Sequence, residues 1–106
     1  QKFEALVLKD LSNSEVSVED IAAKLGLSRV QMYRKLKAIT NYSPAELLRN
    51  IRLREAARML KTQNCTVAEV SYAVGFTSPS YFTKCFKDFF NESPSDIQAR
   101  TSKIKE

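Results

Sequence analysis

The strongest constraint in this sequence is an internal repeat. Residues Val18–Leu27 align with Val67–Phe76 at an offset of 49, and both copies carry a glycine at the same place, Gly26 and Gly75. After the glycine the offset becomes 50, so the second copy has one inserted residue. The chain therefore contains two copies of one structural unit.

Each copy has the apolar periodicity of two helices separated by a tight turn. Apolar residues recur every three or four positions, which is the spacing of one helix face. They stand at 18, 21, 22, 25, 32, 36 and 39 in the first copy, and at 67, 70, 74, 82, 86 and 89 in the second. Both units are therefore predicted to be a helix, a turn and a second helix.

Capping residues mark where the helices begin. A hydroxyl side chain precedes a carboxylate by three residues at Ser17, Ser43, Thr66 and Ser93, a pattern typical of helix N-termini. All three prolines follow a serine, at Pro44, Pro79 and Pro94, which suits the first position of a helix. Asn41 and Asn91 are expected to take the left-handed conformation that often ends helices.

These signals predict an all-α fold of seven helices, at about 2–12, 18–25, 29–40, 44–61, 67–74, 79–90 and 94–102. Two helix-turn-helix lobes, at about 1–43 and about 62–106, are joined by a long linker helix at about 44–61. The apolar residues of the linker helix cover more than one stripe, as expected for a helix that packs against both lobes.

The absence of histidine from the sequence argues against catalysis, since histidine is the commonest general base and metal ligand. Cys65 and Cys85 are too far apart for a paired metal or redox motif. We therefore expect no enzyme activity, catalytic residue, metal or cofactor. No apolar run approaches the ~20 residues of a membrane span, and nothing resembles a signal peptide, so we expect no membrane insertion by this segment and a cytoplasmic location.

The positive charge of the chain lies in its first half. The net charge is +5, and residues 1–61 carry 12 basic and 7 acidic side chains, whereas residues 62–106 carry five of each. A basic excess suits a polyanionic partner such as nucleic acid. The alternative interpretation of such charge runs is a solvated helix face.

The second helix of each unit turns a separate set of side chains away from its apolar face. A step of about 100° per residue puts Val30, Arg34 and Lys37 nearly opposite positions 32, 36 and 39. The repeat equivalents are Ser80, Lys84 and Lys87. Arginine and lysine donate to guanine, and valine or tyrosine packs on a thymine methyl group, so these faces suit the major groove of DNA.

The chain resembles the DNA-binding domain of the AraC/XylS family of bacterial transcription regulators over about residues 3–100. The matching motifs are Val70–Phe76, Tyr81–Lys87, Ser93-Pro94, Ile51–Leu53 and Ala56-Ala57. The resemblance implies two recognition helices that enter successive major grooves. It assigns base contacts to Val30, Tyr33, Arg34, Ser80, Tyr81 and Lys84. Phosphate contacts are expected at Ser28, Arg29, Lys37, Ser78 and Lys87, from their places beside helix N-termini or further along the recognition helices.

The predicted function is sequence-specific binding of double-stranded DNA as the output domain of a transcription regulator. The chain is also similar to the C-terminal output domains of bacterial hybrid two-component regulators. That similarity implies a sensor or receiver domain in the full-length chain. It also implies RNA polymerase as a partner if the protein is an activator. An alternative location is then the cytoplasmic end of a membrane-bound sensor protein. The alternative function is a basic helical module that docks on an acidic protein. Whether the second lobe reads bases or contacts only the backbone stays open.

Overall fold

Seven α-helices and no strand make up the part of the chain that the computed structural model describes, which is residues 2–105, with side chains over residues 2–100. The helices are α1 (Lys2–Lys9), α2 (Val18–Leu25), α3 (Arg29–Thr40), α4 (Pro44–Thr62), α5 (Val67–Ala73), α6 (Pro79–Phe90) and α7 (Pro94–Lys105). The predicted all-α class with seven helices is confirmed. Two predicted ends were wrong by three residues, since α1 stops at Lys9 and α7 continues to Lys105.

Capping side chains set the helix starts. Ser17, Ser43 and Thr66 each accept a hydrogen bond from the backbone N–H three residues later, and the carboxylate there accepts one from the cap's own N–H. Ser28 forms the same reciprocal pair with the side-chain amide of Gln31, and this pair was not among the predicted ones. Each of the three prolines occupies the first position of a helix, at Pro44, Pro79 and Pro94.

Helix α1 ends early because polar side chains after Lys9 bond locally. The Asn13 N–H donates to the Asp10 carbonyl at 3.1 Å, and the Asn13 side-chain oxygen accepts from the Glu15 N–H at 3.0 Å. Asparagine and aspartate offer the backbone such turns in competition with a helix. Leu11 therefore lies in a loop, where it packs against both core clusters of the molecule.

The core forms two clusters, and α4 contributes to both. Leu47 and Ile51, from the first half of α4, pack with residues of α1, α2 and α3 such as Met32. Leu53 and Leu60, from its second half, pack with residues of α5, α6 and α7, among them the fully buried Phe82 and Phe86. In the first lobe, α1 packs against α2 and α4. In the second lobe, α4 packs against α5 and α7.

Ile39 lies on the apolar face of α3, as predicted, since it lines one groove with Met32 and Leu36, but it is not part of the core. Its side chain is 68% exposed in the last turn of α3, where it lines a shallow groove and nothing among the described residues covers it. Its repeat equivalent Phe89 is partly buried, because Arg54 of α4 lies 5.9 Å from the ring centroid and Phe90 packs beside it at 4.8 Å. The two lobes therefore differ at this position.

Left-handed residues form the turns and helix ends, as predicted. Gly26 has φ 70° and Gly75 has φ 94°, and these residues mark the two turns between paired helices. Asn41 and Asn91 have φ 65° and 60° and end α3 and α6. No helix in the described part of the chain has both the length and the apolar character needed to cross a membrane.

Candidate nucleic-acid interface

The outward face of α3 carries the side chains that the sequence predicted for it. Val30 and Tyr33 are 59% and 47% exposed, and Arg34 and Lys37 are exposed as well. Met32 and Leu36 on the opposite face are buried. One face of α3 is therefore buried in the core, and the other exposes apolar and basic side chains.

A groove of about 860 Å³ follows this face of α3. It is lined by Arg29, Val30, Tyr33 and Arg34, with further walls from the starts of α2 and α4. A second depression, of about 430 Å³, lies over the start of α4 and the turn between α5 and α6, and Tyr81 lines it. Ala45, in the first turn of α4, lines both. The two depressions therefore share a wall at Ala45.

Helix α6 presents the second set of predicted residues. Ser80, Lys84 and Lys87 are exposed. Tyr81 is 53% exposed, and its ring rests on Phe76, with 6.1 Å between the ring centroids. This contact holds the phenol at the edge of the second depression. The structure thus brings Tyr81 close to the α3 groove through Ala45, whereas Lys84 and Lys87 lie further along α6.

Helices α3 and α6 use equivalent positions differently. Position 31 is Gln31, whose side-chain oxygen accepts a 2.8 Å hydrogen bond from the Ser28 N–H, so this side chain is committed to capping α3. Its repeat equivalent is the exposed Tyr81. Conversely, Tyr33 is exposed, but its equivalent Thr83 donates its hydroxyl to the Pro79 carbonyl at 2.9 Å. One aromatic side chain therefore remains available on each helix, in a different place.

A model of the family described as a helix-turn-helix domain matches residues 21–100. The chain belongs to the AraC-type helix-turn-helix family. It is 28% identical to an AraC-type DNA-binding transcriptional regulator from Chromobacterium violaceum, with a TM-score of 0.82 over 94% of this chain and 90% of that one. The DNA-binding domain of AdpA, solved with a target DNA, is 30% identical, with a TM-score of 0.84 over 92% of this chain and 87% of that one.

A relative named histidine kinase P4, from Formosa agariphila, is 42% identical over 97 residues. That match covers 92% of this chain and 7% of the relative, so the AraC-type domain spans a small part of that protein's length. Sequences similar to this domain are thus found within a protein named as a histidine kinase and in a transcription regulator.

The residues predicted to contact phosphate in this AraC-type domain make contacts within the protein that leave them able to donate to a ligand. Arg29 pairs with Glu19 at 3.4 Å, but both side chains are largely exposed, and such surface pairs contribute about 0–1 kcal/mol. The Lys37 amino group donates to the Asn41 carbonyl at 3.2 Å. Ser28 and Ser78 each accept the N–H of the residue three positions on. A capping hydroxyl that accepts in this way keeps its own proton as a donor.

No individual role was predicted for Arg52, although it lies within the matching motif Ile51–Leu53 of this AraC-type domain. Arg52 lies on α4 between the buried Ile51 and Leu53 and bonds to loops of both lobes. Burial lowers the pKa of its guanidinium. The available signal was an arginine between two apolar residues of a helix. That pattern does not indicate which loops the guanidinium contacts.

Proposed function

We propose that this AraC-type domain binds double-stranded DNA as one chain, with α3 and α6 in successive major grooves. The observation that carries the proposal is the pair of adjoining depressions, one lined by Val30, Tyr33 and Arg34 and the other by Tyr81. Successive major grooves on one side of a duplex are about 34 Å apart. The molecule measures 48 × 24 × 23 Å, so its long axis exceeds that distance.

Base reading is proposed for the exposed side chains in the first turns of each recognition helix. Arg34 suits bidentate donation to guanine O6 and N7, and Lys84 suits a single donation there. Val30, Tyr33 and Tyr81 suit apolar contact with thymine methyl groups, and Ser80 suits a hydrogen bond to a base edge. Because the two units follow head to tail, the site is expected to be asymmetric and to span roughly two helical turns.

Phosphate contact is proposed for five residues at the edges of these faces. Ser28, Arg29 and Ser78 stand at helix N-termini, where backbone N–H groups and the helix dipole favour an anion. Lys37 and Lys87 lie in the last turns of α3 and α6. Such contacts fix the register of the protein on DNA and carry no sequence information directly.

The full-length context is proposed from the relatives. The similarity to a histidine-kinase-named protein favours an output domain attached to a sensor or receiver domain, in the cytoplasm or at the cytoplasmic end of a membrane-bound sensor. RNA polymerase would be a further partner of an activator. An isolated domain would then bind DNA without its signal, and the attached domains would control when it does so.

Selection of binding sites from random duplex DNA tests the proposal. Wild type, Arg34→Ala and Lys84→Ala are selected in parallel, with Lys61→Ala as control because this exposed cation lines a different depression. We expect Arg34→Ala to lose preference at one or two base pairs, at a cost of about 1–3 kcal/mol, and Lys84→Ala to do the same in the other half of the site. Lys37→Ala should weaken binding to all sequences and reduce the salt slope by about one.

Two outcomes would contradict the proposal. If Arg34→Ala binds every sequence as tightly as wild type, the assigned face of α3 is wrong. If wild type binds no duplex even at low salt, the alternative of a basic module docking on an acidic protein is favoured. A preference lost at Arg34 but not at Lys84 would mean that only the first lobe reads bases.

A further inference from the structure

Arg52 connects the two lobes through its guanidinium. One terminal nitrogen donates to the Gly75 carbonyl at 3.0 Å, and the other donates to the Asn13 carbonyl at 3.2 Å. Asn13 lies in the loop between α1 and α2, and Gly75 lies in the turn between α5 and α6. A single side chain on the shared helix thus holds a loop of the first lobe and the turn of the second.

The same place shows a close approach between the lobes. A Cβ atom on Gly75 would lie 2.5 Å from the Leu11 carbonyl oxygen and 2.9 Å from the Arg52 guanidinium carbon. Gly75 is therefore required by a contact between the lobes as well as by its left-handed φ of 94°. At the corresponding Gly26 of the first lobe, no atom lies within 4 Å of such a Cβ.

The chemistry of arginine suits this bridge. Its planar guanidinium presents donors in a fixed fork, so two carbonyls bonded to it are held in a defined relative position. Both acceptors are neutral backbone groups, and a hydrogen bond from a charged donor is stronger than one between neutral groups. Lysine, a point charge on a flexible stem, does not impose the same geometry.

The bridge is directly coupled to α6. The Gly75 carbonyl precedes Ser78, the N-cap of α6, by three residues, and Phe76 in the same turn contacts Tyr81. Arg52 itself lines the depression that Tyr81 lines. The bridge thus lies between a loop of the first lobe and the start of α6.

We propose that Arg52 is a positioning residue that fixes the orientation of α6 relative to α3, and so sets the number of base pairs separating the two halves of the DNA site. This inference rests on the proposed function. When two binding modules are held at the spacing of their targets, the second binds at high effective concentration, which is lost when the geometry does not match. A preorganised pair also loses less conformational freedom on binding.

The test compares Arg52→Met and Arg52→Lys with wild type on DNA of varied spacing. Methionine keeps an apolar stem and removes the fork, and lysine keeps the charge. Lys61→Met is the matched control, because it removes an exposed cation from the same helix. The probes are the site selected by wild type, that site with one or two base pairs inserted or deleted between its halves, and duplexes in which one half is randomised.

We expect wild type to lose about tenfold or more in affinity when the spacing changes by one base pair. Arg52→Met should bind the selected site about tenfold more weakly and should lose only about twofold when the spacing changes. Its affinity for each half-site should stay within about twofold of wild type. Arg52→Lys should fall between the two, and Lys61→Met should keep the wild-type spacing preference.

Arg52→Met with the wild-type spacing penalty would overturn the proposal while leaving the proposed function intact. A loss of half-site affinity equal to the loss on the whole site would also overturn it, since Arg52 would then act by stabilising a lobe. Residual dipolar couplings of the free protein provide a readout without DNA. The orientation of α6 relative to α3 in Arg52→Met should differ from that in wild type, and Arg52→Lys replaces Arg52→Met if the latter is unfolded. An unchanged orientation in the folded variant would refute the role of Arg52 even if wild type bound no DNA.

Discussion

Replacement of Gly75 by alanine should destabilise the domain more than the same replacement at Gly26. Both glycines have positive φ, 94° and 70°, and mark equivalent turns of the repeat. They differ in what surrounds them. A methyl group added at Gly26 points into open space, whereas at Gly75 the added carbon meets the Leu11 carbonyl oxygen at 2.5 Å and Arg52 at 2.9 Å.

The difference in free energy of unfolding follows from these distances. A left-handed conformation costs an L-residue about 1–2 kcal/mol, and alanine regains about 0.4–1 kcal/mol by restricting the unfolded chain. Both terms apply at each position, so they largely cancel in the comparison. Overpacking against a neighbour that cannot move freely costs about 1–3 kcal/mol more, and a backbone carbonyl is such a neighbour. The cost of Gly75→Ala should therefore exceed that of Gly26→Ala by about 1–3 kcal/mol.

Urea unfolding followed by far-UV circular dichroism measures the difference. The m-values of the two variants should match that of wild type, so that the change in midpoint reports stability alone. In a domain of this size each kcal/mol corresponds to roughly 4–8 °C in Tm. The double variant with Arg52→Met tests the contact itself, because substitutions that share a contact are not additive.

Equal destabilisation at the two glycines would refute the reasoning. It would mean that the loop containing Leu11 moves away at little cost, so that the lobes are not held at a fixed separation. A larger loss of unfolding free energy in Gly26→Ala than in Gly75→Ala would lead to the same conclusion. Either result would also remove the structural basis for the bridge at Arg52, independently of any measurement on DNA.

Three further substitutions test other parts of the structure. Phe82→Ala should reduce the free energy of unfolding by about 3–5 kcal/mol, measured by urea titration, because the ring is fully buried in the aromatic core of the second lobe. Ile39→Ser should change it by no more than about 0.5 kcal/mol, and a larger loss would mean that this side chain is covered. Hydrogen bonds from the Ser43 hydroxyl and N–H hold the pKa of Glu46 below its usual 4.5, so its contribution to stability is present above that pH and is lost as the pH falls through the lowered pKa. In Glu46→Gln the amide can accept as that of Gln31 does, so the Tm difference from wild type should shrink below about pH 4.5; parallel Tm curves would contradict this.

Features fixed by local chemistry could be predicted from the sequence. Ser-Pro pairs and hydroxyl caps act within one turn of a helix, so the starts of α4, α6 and α7 were predicted at the residue where they occur. The outward faces of α3 and α6 follow from helical period alone, and the exposure of Val30 and Tyr81 agrees with it. The end of α1 was missed because the side-chain bonds of Asp10 and Asn13 compete with the helix.

Features that depend on how helices pack could not be predicted in the same way. Ile39 has the correct spacing for the core, but a core position also needs a covering element, and spacing does not provide one. Arg52 lies in a helix whose apolar residues surround it on several sides, so no single face was assigned to its guanidinium. Its two acceptors are 39 and 23 residues away in sequence.

The sharing of α4 between the two cores restricts how a protein of this design can change the spacing of the DNA it reads. An ordinary flexible linker can lengthen without disturbing the domains it joins. Here one extra residue between Ile51 and Leu53 would turn the second lobe by about 100° and advance it by about 1.5 Å along the helix axis. The distance between the lobes therefore cannot be adjusted gradually by changing the length of α4. Small adjustments to the spacing of a DNA site must come from the side chains where the lobes touch.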